Sequence, residues 1–162
     1  MTVFSHTLQR LGYSGLAPFF VAIFGSLMLG NDNGGVLGIS LNWSLVFISY
    51  SALIASFMAG SLWGRALSVA NQRQDSSRNI SVLVWSNLLS MLSWASLGVW
   101  YQGYALLALL VLAAVYFGIF LIERVFLESK VIDPLSDSYL GLRRRLTAAV
   151  IILHVGAMGV FN

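Results

Sequence analysis

Four side chains in this sequence, Asn87, His154, Tyr116 and Ser56, could exchange hydrogen bonds or a proton with a small molecule at depth, and their spacing puts them in register. Asn87 lies nine residues beyond Arg78 and His154 nine beyond Arg145, while Ser56 lies nine from Arg65 and Tyr116 eight from Arg124. A helix rises about 1.5 Å per residue, so nine residues carry the chain roughly 13 Å. With the arginines at one face of an apolar slab about 30 Å thick, all four groups fall in one layer near its middle. Polar side chains there are costly to expose and turn toward the interior or a cavity. The layer reads as a buried polar cluster of Asn87 and His154, joined by Tyr116 or Ser56. A quinone or lipid is the ligand class it suits, and a proton relay is the other chemistry open to it. The plainer alternative is a neutral His154 satisfied by a neighbour or by its own helix. A metal site is not expected, because the only other histidine is His6, on the N-terminal tail, and there is no cysteine.

Two further constellations carry recognition rather than reaction. Gly60 and Gly64 stand four apart and are extended by Ser56 and Ala52, a small-residue stripe that would let another backbone approach closely. This face is expected to be packed, within the chain or against a partner, with Trp63 at headgroup depth. Arg143, Arg144 and Arg145 project about 100° apart on a helix. At least one must turn inward and meet Glu123 or another acceptor. With Arg65 and Glu123 they form a candidate site for an anionic lipid or a cytoplasmic partner.

The elements that must position these residues are long apolar runs. Five approach the roughly 20 residues needed to cross a bilayer core: about 11–29, 43–63, 80–99, 104–122 and 146–161, within a single domain spanning 1–162. The last is shortest and is expected to continue as helix through "YLGLRRR". Pro18 cannot donate to the carbonyl of Ser14, which predicts a bend in the first span. Gly12, Ser14 and Gly15 thin its first half, suiting close contact or a groove lined by Phe19 and Phe20. In the third span Ser86, Asn87, Ser90 and Ser93 make a polar stripe that reads as glue between helices.

The basic residues fix an orientation. Arg10 precedes the first span, Arg65, Arg73 and Arg78 follow the second, and Arg124, Lys130 and Arg143 to Arg145 separate the fourth from the fifth. All nine lie on one side of a five-span path, so the N-terminus is expected in the cytoplasm and the C-terminus in the periplasm. The fold class expected is an all-α integral membrane protein, a bundle of five transmembrane helices. The N-terminus reads as mature, since its first ten residues are too short and too weakly basic for a transit peptide.

Composition agrees, with 58% hydrophobic and 9% charged residues against the roughly 25% charged of soluble domains. The net charge of +3 does not point to nucleic acid, because the basic residues flank apolar runs instead of clustering with stacking aromatics. No zinc-protease motif, Gly-x-Ser-x-Gly, phosphate loop or pair of buried carboxylates occurs, so hydrolysis and phosphoryl transfer lack their parts. Independent transport lacks an internal repeat and a charge at the midplane.

Four motifs, "GYSGLAPFF", "SYSALIASFMAGSLWG", "VWSNLLSMLSWASL" and "YLGLRRRLTAAV", together resemble the domain-of-unknown-function family 3429, the transmembrane protein 69 family. They touch four of the five spans in order. The resemblance implies a small multi-spanning protein of the bacterial inner membrane, with relatives in mitochondria, and no established activity. The chain departs from the family pattern at Leu62, before the Trp-Gly pair, and at Leu88 in the third span. The function expected is non-enzymatic: an accessory, stabilising or assembly subunit of a larger membrane complex, or a homo-oligomer, with membrane lipids as neighbours and no cofactor. The alternative is binding or passage of a small hydrophobic ligand, a quinone or lipid, near Asn87, Tyr116 and His154.

Overall fold

Pro18 interrupts the first apolar run. Its missing N–H leaves the Ser14 carbonyl without a helical donor, and the run divides into α1 (Val3–Ser14) and α2 (Ala17–Leu29). Across the break Leu16 N–H bonds the Tyr13 carbonyl and Phe19 N–H the Leu16 carbonyl, which frees the carbonyl of Gly15. The Tyr50 hydroxyl donates to that oxygen at 2.9 Å. Within an apolar slab an unmet carbonyl is expensive, so this side chain is what makes the break tolerable.

The computed structural model describes residues 3–30, 35–36, 39–70, 76–128 and 134–161. Arg73 and Lys130 lie outside the described residues. After α2, two-residue strands β1 (Gly35–Val36) and β2 (Ile39–Ser40) pair antiparallel. Three long helices follow, α3 (Trp43–Ala70), α4 (Ser76–Tyr101) and α5 (Ala105–Glu128), and α6 (Pro134–Val160) ends the order. The described secondary structure is otherwise all helical. Four stretches are long and apolar enough to cross a membrane: Gln9–Leu29, Trp43–Leu67, Ile80–Tyr101 and Ala105–Val125. The apolar part of α6 falls short of that length, because its first turns carry the arginines.

Local chemistry sets the helix ends. Asn42 precedes α3 and its Oδ1 accepts from the Leu45 N–H at 3.0 Å and the Ser44 hydroxyl at 2.7 Å, a side-chain cap. The Trp100 indole N–H donates to Ser44 Oγ at 3.0 Å and ties the end of α4 to the start of α3. The turn between α4 and α5 closes on Gly103, whose φ of +88° suits glycine. Tyr104 N–H reaches back to the Val99 carbonyl and Gly103 N–H to that of Trp100, the paired bonds of a Schellman stop. α6 begins on Pro134, where a missing N–H costs nothing.

Heptad-like stripes build the interior. On α5, Leu109, Leu112, Tyr116, Ile119 and Glu123 are all fully buried at alternating steps of three and four. α3 buries Phe47, Ser51, Ala55, Met58, Leu62 and Ala66, and α6 buries Thr147, Val150, His154 and Ala157, with Phe161 buried just beyond its end. α3 is central, packing on α2, α4 and α5, while α6 closes against α5 and α2. Gly25 is required at the α2–α3 crossing, because a Cβ there would lie 2.6 Å from the Trp43 ring. The outer surface is apolar, with Met28, Phe57, Trp94 and Ile152 exposed, as expected of a chain surrounded by lipid.

Within the chain only the first half of the small-residue stripe is packed. Ala52 is buried and Ser56 partly so, but Gly60 and Gly64 are exposed and a Cβ on either would meet nothing within 4 Å. Steps of four residues turn about 40° each, so a stripe from 52 to 64 wanders about 120° around the helix. It begins in the interior and ends on the outside. The seam that actually packs is the neighbouring one through Ala55, Ala59, Leu62 and Ala66.

Candidate functional site

The polar layer at mid-depth is organised around His154, fully buried on α6. Its Nδ1 lies 2.8 Å from the Val150 carbonyl, which can only accept, so Nδ1 carries the proton. In the neutral ring Nε2 then accepts, and the Ser51 hydroxyl donates to it at 2.8 Å. The carbonyl of Ser51 in turn accepts from the Tyr116 hydroxyl at 3.0 Å. Phe19, Phe47 and Tyr116 enclose the imidazole with ring centroids 5.9, 5.0 and 5.5 Å away. Neither ring nitrogen is left open to a ligand. The arrangement fastens α3, α5 and α6 to one another.

The layer therefore differs from the one expected. Tyr116 and His154 meet, but the serine is Ser51, not Ser56, and Asn87 is exposed on the outer face of α4. Distance from an arginine gives depth without azimuth. The buried stripe of α4 runs through Val82, Ser86, Leu89, Ser93 and Ser96, and Asn87 falls one residue, about 100°, off it. The hydroxyls of Ser86, Ser93 and Ser96 bond carbonyls of their own helix, a local satisfaction common among apolar neighbours.

A second polar cluster gathers near the arginine ends of the helices. Glu123 is fully buried, and its Oε1 accepts from Arg65 Nη1 at 2.7 Å and from the Tyr139 hydroxyl at 2.8 Å. Arg143 Nε donates to Oε2 at 2.7 Å. Arg65 Nη2 also donates to the Tyr139 oxygen, and the guanidinium lies 4.7 Å above that ring's centroid. Burial raises the Tyr139 phenol above its usual pKa, with neighbouring Arg143 opposing, which keeps it a neutral donor at ordinary pH. Of the three consecutive arginines Arg143 turns inward, while Arg144 and Arg145 are exposed. Tyr139 was not singled out in the sequence, although it stands four before Arg143 on the same helix face. The Glu123 carboxylate thus has a guanidinium on each oxygen.

Between these clusters lies a groove of about 190 Å³ walled by α1, α2, α3 and α6. Gly12, Gly15 and Phe19 form one side, Ile54 and Met58 another, and Arg143, Thr147 and Val150 the third, with Tyr116 at the back. Phe20, expected to line such a groove, is exposed outside it. Leu11 and Phe57, both exposed, stand at its edge. Thr147 is 5% exposed and its Oγ1 is one of two buried side-chain polar atoms, with Trp43 Nε1, that lack a partner among the described residues. A separate cleft of about 160 Å³ on the outer face of α3 and α4 joins Gly60, Trp63, Asn87 and Ser90. Among the described residues no three His, Asp or Glu side chains gather as a metal site.

Neither a curated protein nor a solved structure matches this chain. The match that does exist covers residues 5–159, nearly the whole bundle and every cluster above: the chain belongs to the family described as Protein of unknown function (DUF3429).

Proposed function

We propose that this protein is a non-enzymatic, multi-pass subunit of the bacterial inner membrane that accompanies, stabilises or assembles a larger membrane complex through the outer face of α3 and α4. The observation that carries this reading is Asn87: a carboxamide exposed on the outer face of α4 beside the open Gly60 and the hydroxyl of Ser90. Facing lipid, its donors and acceptor would go unmet; facing another helix, they are satisfied, and Gly60 admits that helix closely. The path has five spans, with the N-terminus cytoplasmic and the C-terminus periplasmic. Residues 146–161 of α6 serve as the fifth span. Support for this comes from burial of His154 among Phe19, Phe47 and Tyr116, and from Arg143 sharing the Glu123 carboxylate with Arg65.

Co-purification of the natively expressed protein in mild detergent, followed by intact mass analysis, tests the reading. The wild type is expected to carry a stoichiometric membrane partner, and Gly60→Leu, which has open space for its side chain and should fold normally, is expected to lose it. A monomer in both preparations would contradict the proposal, and a self-associated bundle would assign the face to a homo-oligomer. The second reading, a small hydrophobic ligand, is favoured by the groove beside Arg143 and Thr147. The sealed His154 does not contribute to it.

A further inference from the structure

We propose that the groove between α1, α3 and α6 binds a single anionic phospholipid, with one acyl chain along its apolar wall and the phosphate held by Arg143 and Thr147. The site is independent of the partner face on α3 and α4. Arg143, Thr147 and Val150 follow one another at i, i+4 and i+7 on a single face of α6, and all three line the groove. The lining thus passes from a guanidinium through a hydroxyl to an aliphatic group over roughly 10 Å of helix. Deeper still are Phe19 and Ile54. A surface polar at one end and apolar along the rest fits an amphiphile held in the direction of the bilayer normal.

Thr147 is the independent sign that something is bound. A threonine in an apolar helix ordinarily bonds a carbonyl one turn back. Here Oγ1 is buried in the wall of the groove with no partner among the described residues. A ligand oxygen in the groove supplies one. Charge selects the ligand's sign. Arg143 meets Glu123 through Nε, so its terminal amino groups are not the ones holding that carboxylate, and Glu123 is already shared with Arg65. An incoming phosphate meets those amino groups in charge-assisted hydrogen bonds. The way in selects the source. Leu11 and Phe57 at the edge are exposed and apolar, so the groove opens onto lipid, and a phosphate reaches Arg143 attached to an acyl chain.

The test uses the full chain returned to nanodiscs of equimolar phosphatidylglycerol and phosphatidylcholine, with retained lipid read by native mass spectrometry. Wild type is expected to keep one phosphatidylglycerol in preference to phosphatidylcholine. Thr147→Val, which removes a buried unpaired hydroxyl and should fold at least as stably, is expected to weaken that preference about tenfold. Arg143→Gln should abolish it and the exposed Arg144→Gln leave it unchanged. The proposal is overturned if wild type shows no preference, if Thr147→Val retains phosphatidylglycerol as wild type does, or if the groove yields a quinone in place of the phospholipid.

Discussion

Seven residues separate Thr147 from His154 on the same face of α6, yet the two meet opposite circumstances. Both ring nitrogens of His154 are bonded, one within its helix and one to Ser51, and three aromatic rings close over it. Thr147, also buried, has a hydroxyl that bonds nothing among the described residues, and its side chain is part of the groove wall. A polar group whose bonds are complete holds helices together, and one whose bonds are incomplete leaves a donor that a ligand can meet. Glu123 belongs with His154, since each of its oxygens is paired with a cation or a phenol. Asn87 resembles Thr147 more than His154, being polar and turned away from the interior.

The largest break in this contrast is expected at Glu123. Glu123→Ala leaves two inward guanidiniums without their carboxylate and should cost about 3–5 kcal/mol in reversible detergent unfolding. His154→Ala comes next, losing the tie to α3 and opening a cavity among Phe19, Phe47 and Tyr116, for about 2–4 kcal/mol. A double-mutant cycle with Ser51→Ala should recover a coupling of about 1 kcal/mol, the ordinary worth of a hydrogen bond between membrane helices. Gly25→Ala tests packing away from both polar regions. Its new methyl must displace the Trp43 ring and should destabilise by about 1–3 kcal/mol, read from the same unfolding curves.

Tyr139→Phe should have the smallest effect, about 1 kcal/mol at neutral pH, because Glu123 Oε1 keeps its bond from Arg65. Its pH dependence has a definite sign. The folded protein holds the phenol above its usual pKa, so this contribution is whole below about pH 10 and declines as pH rises toward the folded value. Unfolding curves of wild type and Tyr139→Phe should therefore converge on the alkaline side.

Much of the scaffold is legible in the sequence. The apolar runs and the break at Pro18 follow from length and from a missing donor, and the inward turn of one arginine follows from three consecutive positions that cannot all face outward. The polar contacts are less legible because they depend on azimuth and reach. Ser51 is more than a turn from Ser56, and the side chains of Tyr116 and Arg65 are long enough to shift a layer reckoned from Cα positions by that much. The Gly60 and Gly64 end of the small-residue stripe is not packed within the chain because a four-residue repeat drifts around the helix. Thr147 had a signal in its seven-residue spacing from His154, but its lack of a partner is visible only in three dimensions.

The contrast between complete and incomplete polar groups is tested most directly by comparing Ser51→Ala with Thr147→Val in one lipid-free detergent. Removal of the Ser51 hydroxyl leaves His154 Nε2 unpaired and should destabilise the bundle by about 1–2 kcal/mol, whereas removal of the Thr147 hydroxyl should stabilise it by about 1 kcal/mol. Opposite signs are the result predicted. Destabilisation of similar size by both substitutions would contradict the account, because Thr147 would then be as fully engaged in the fold as Ser51.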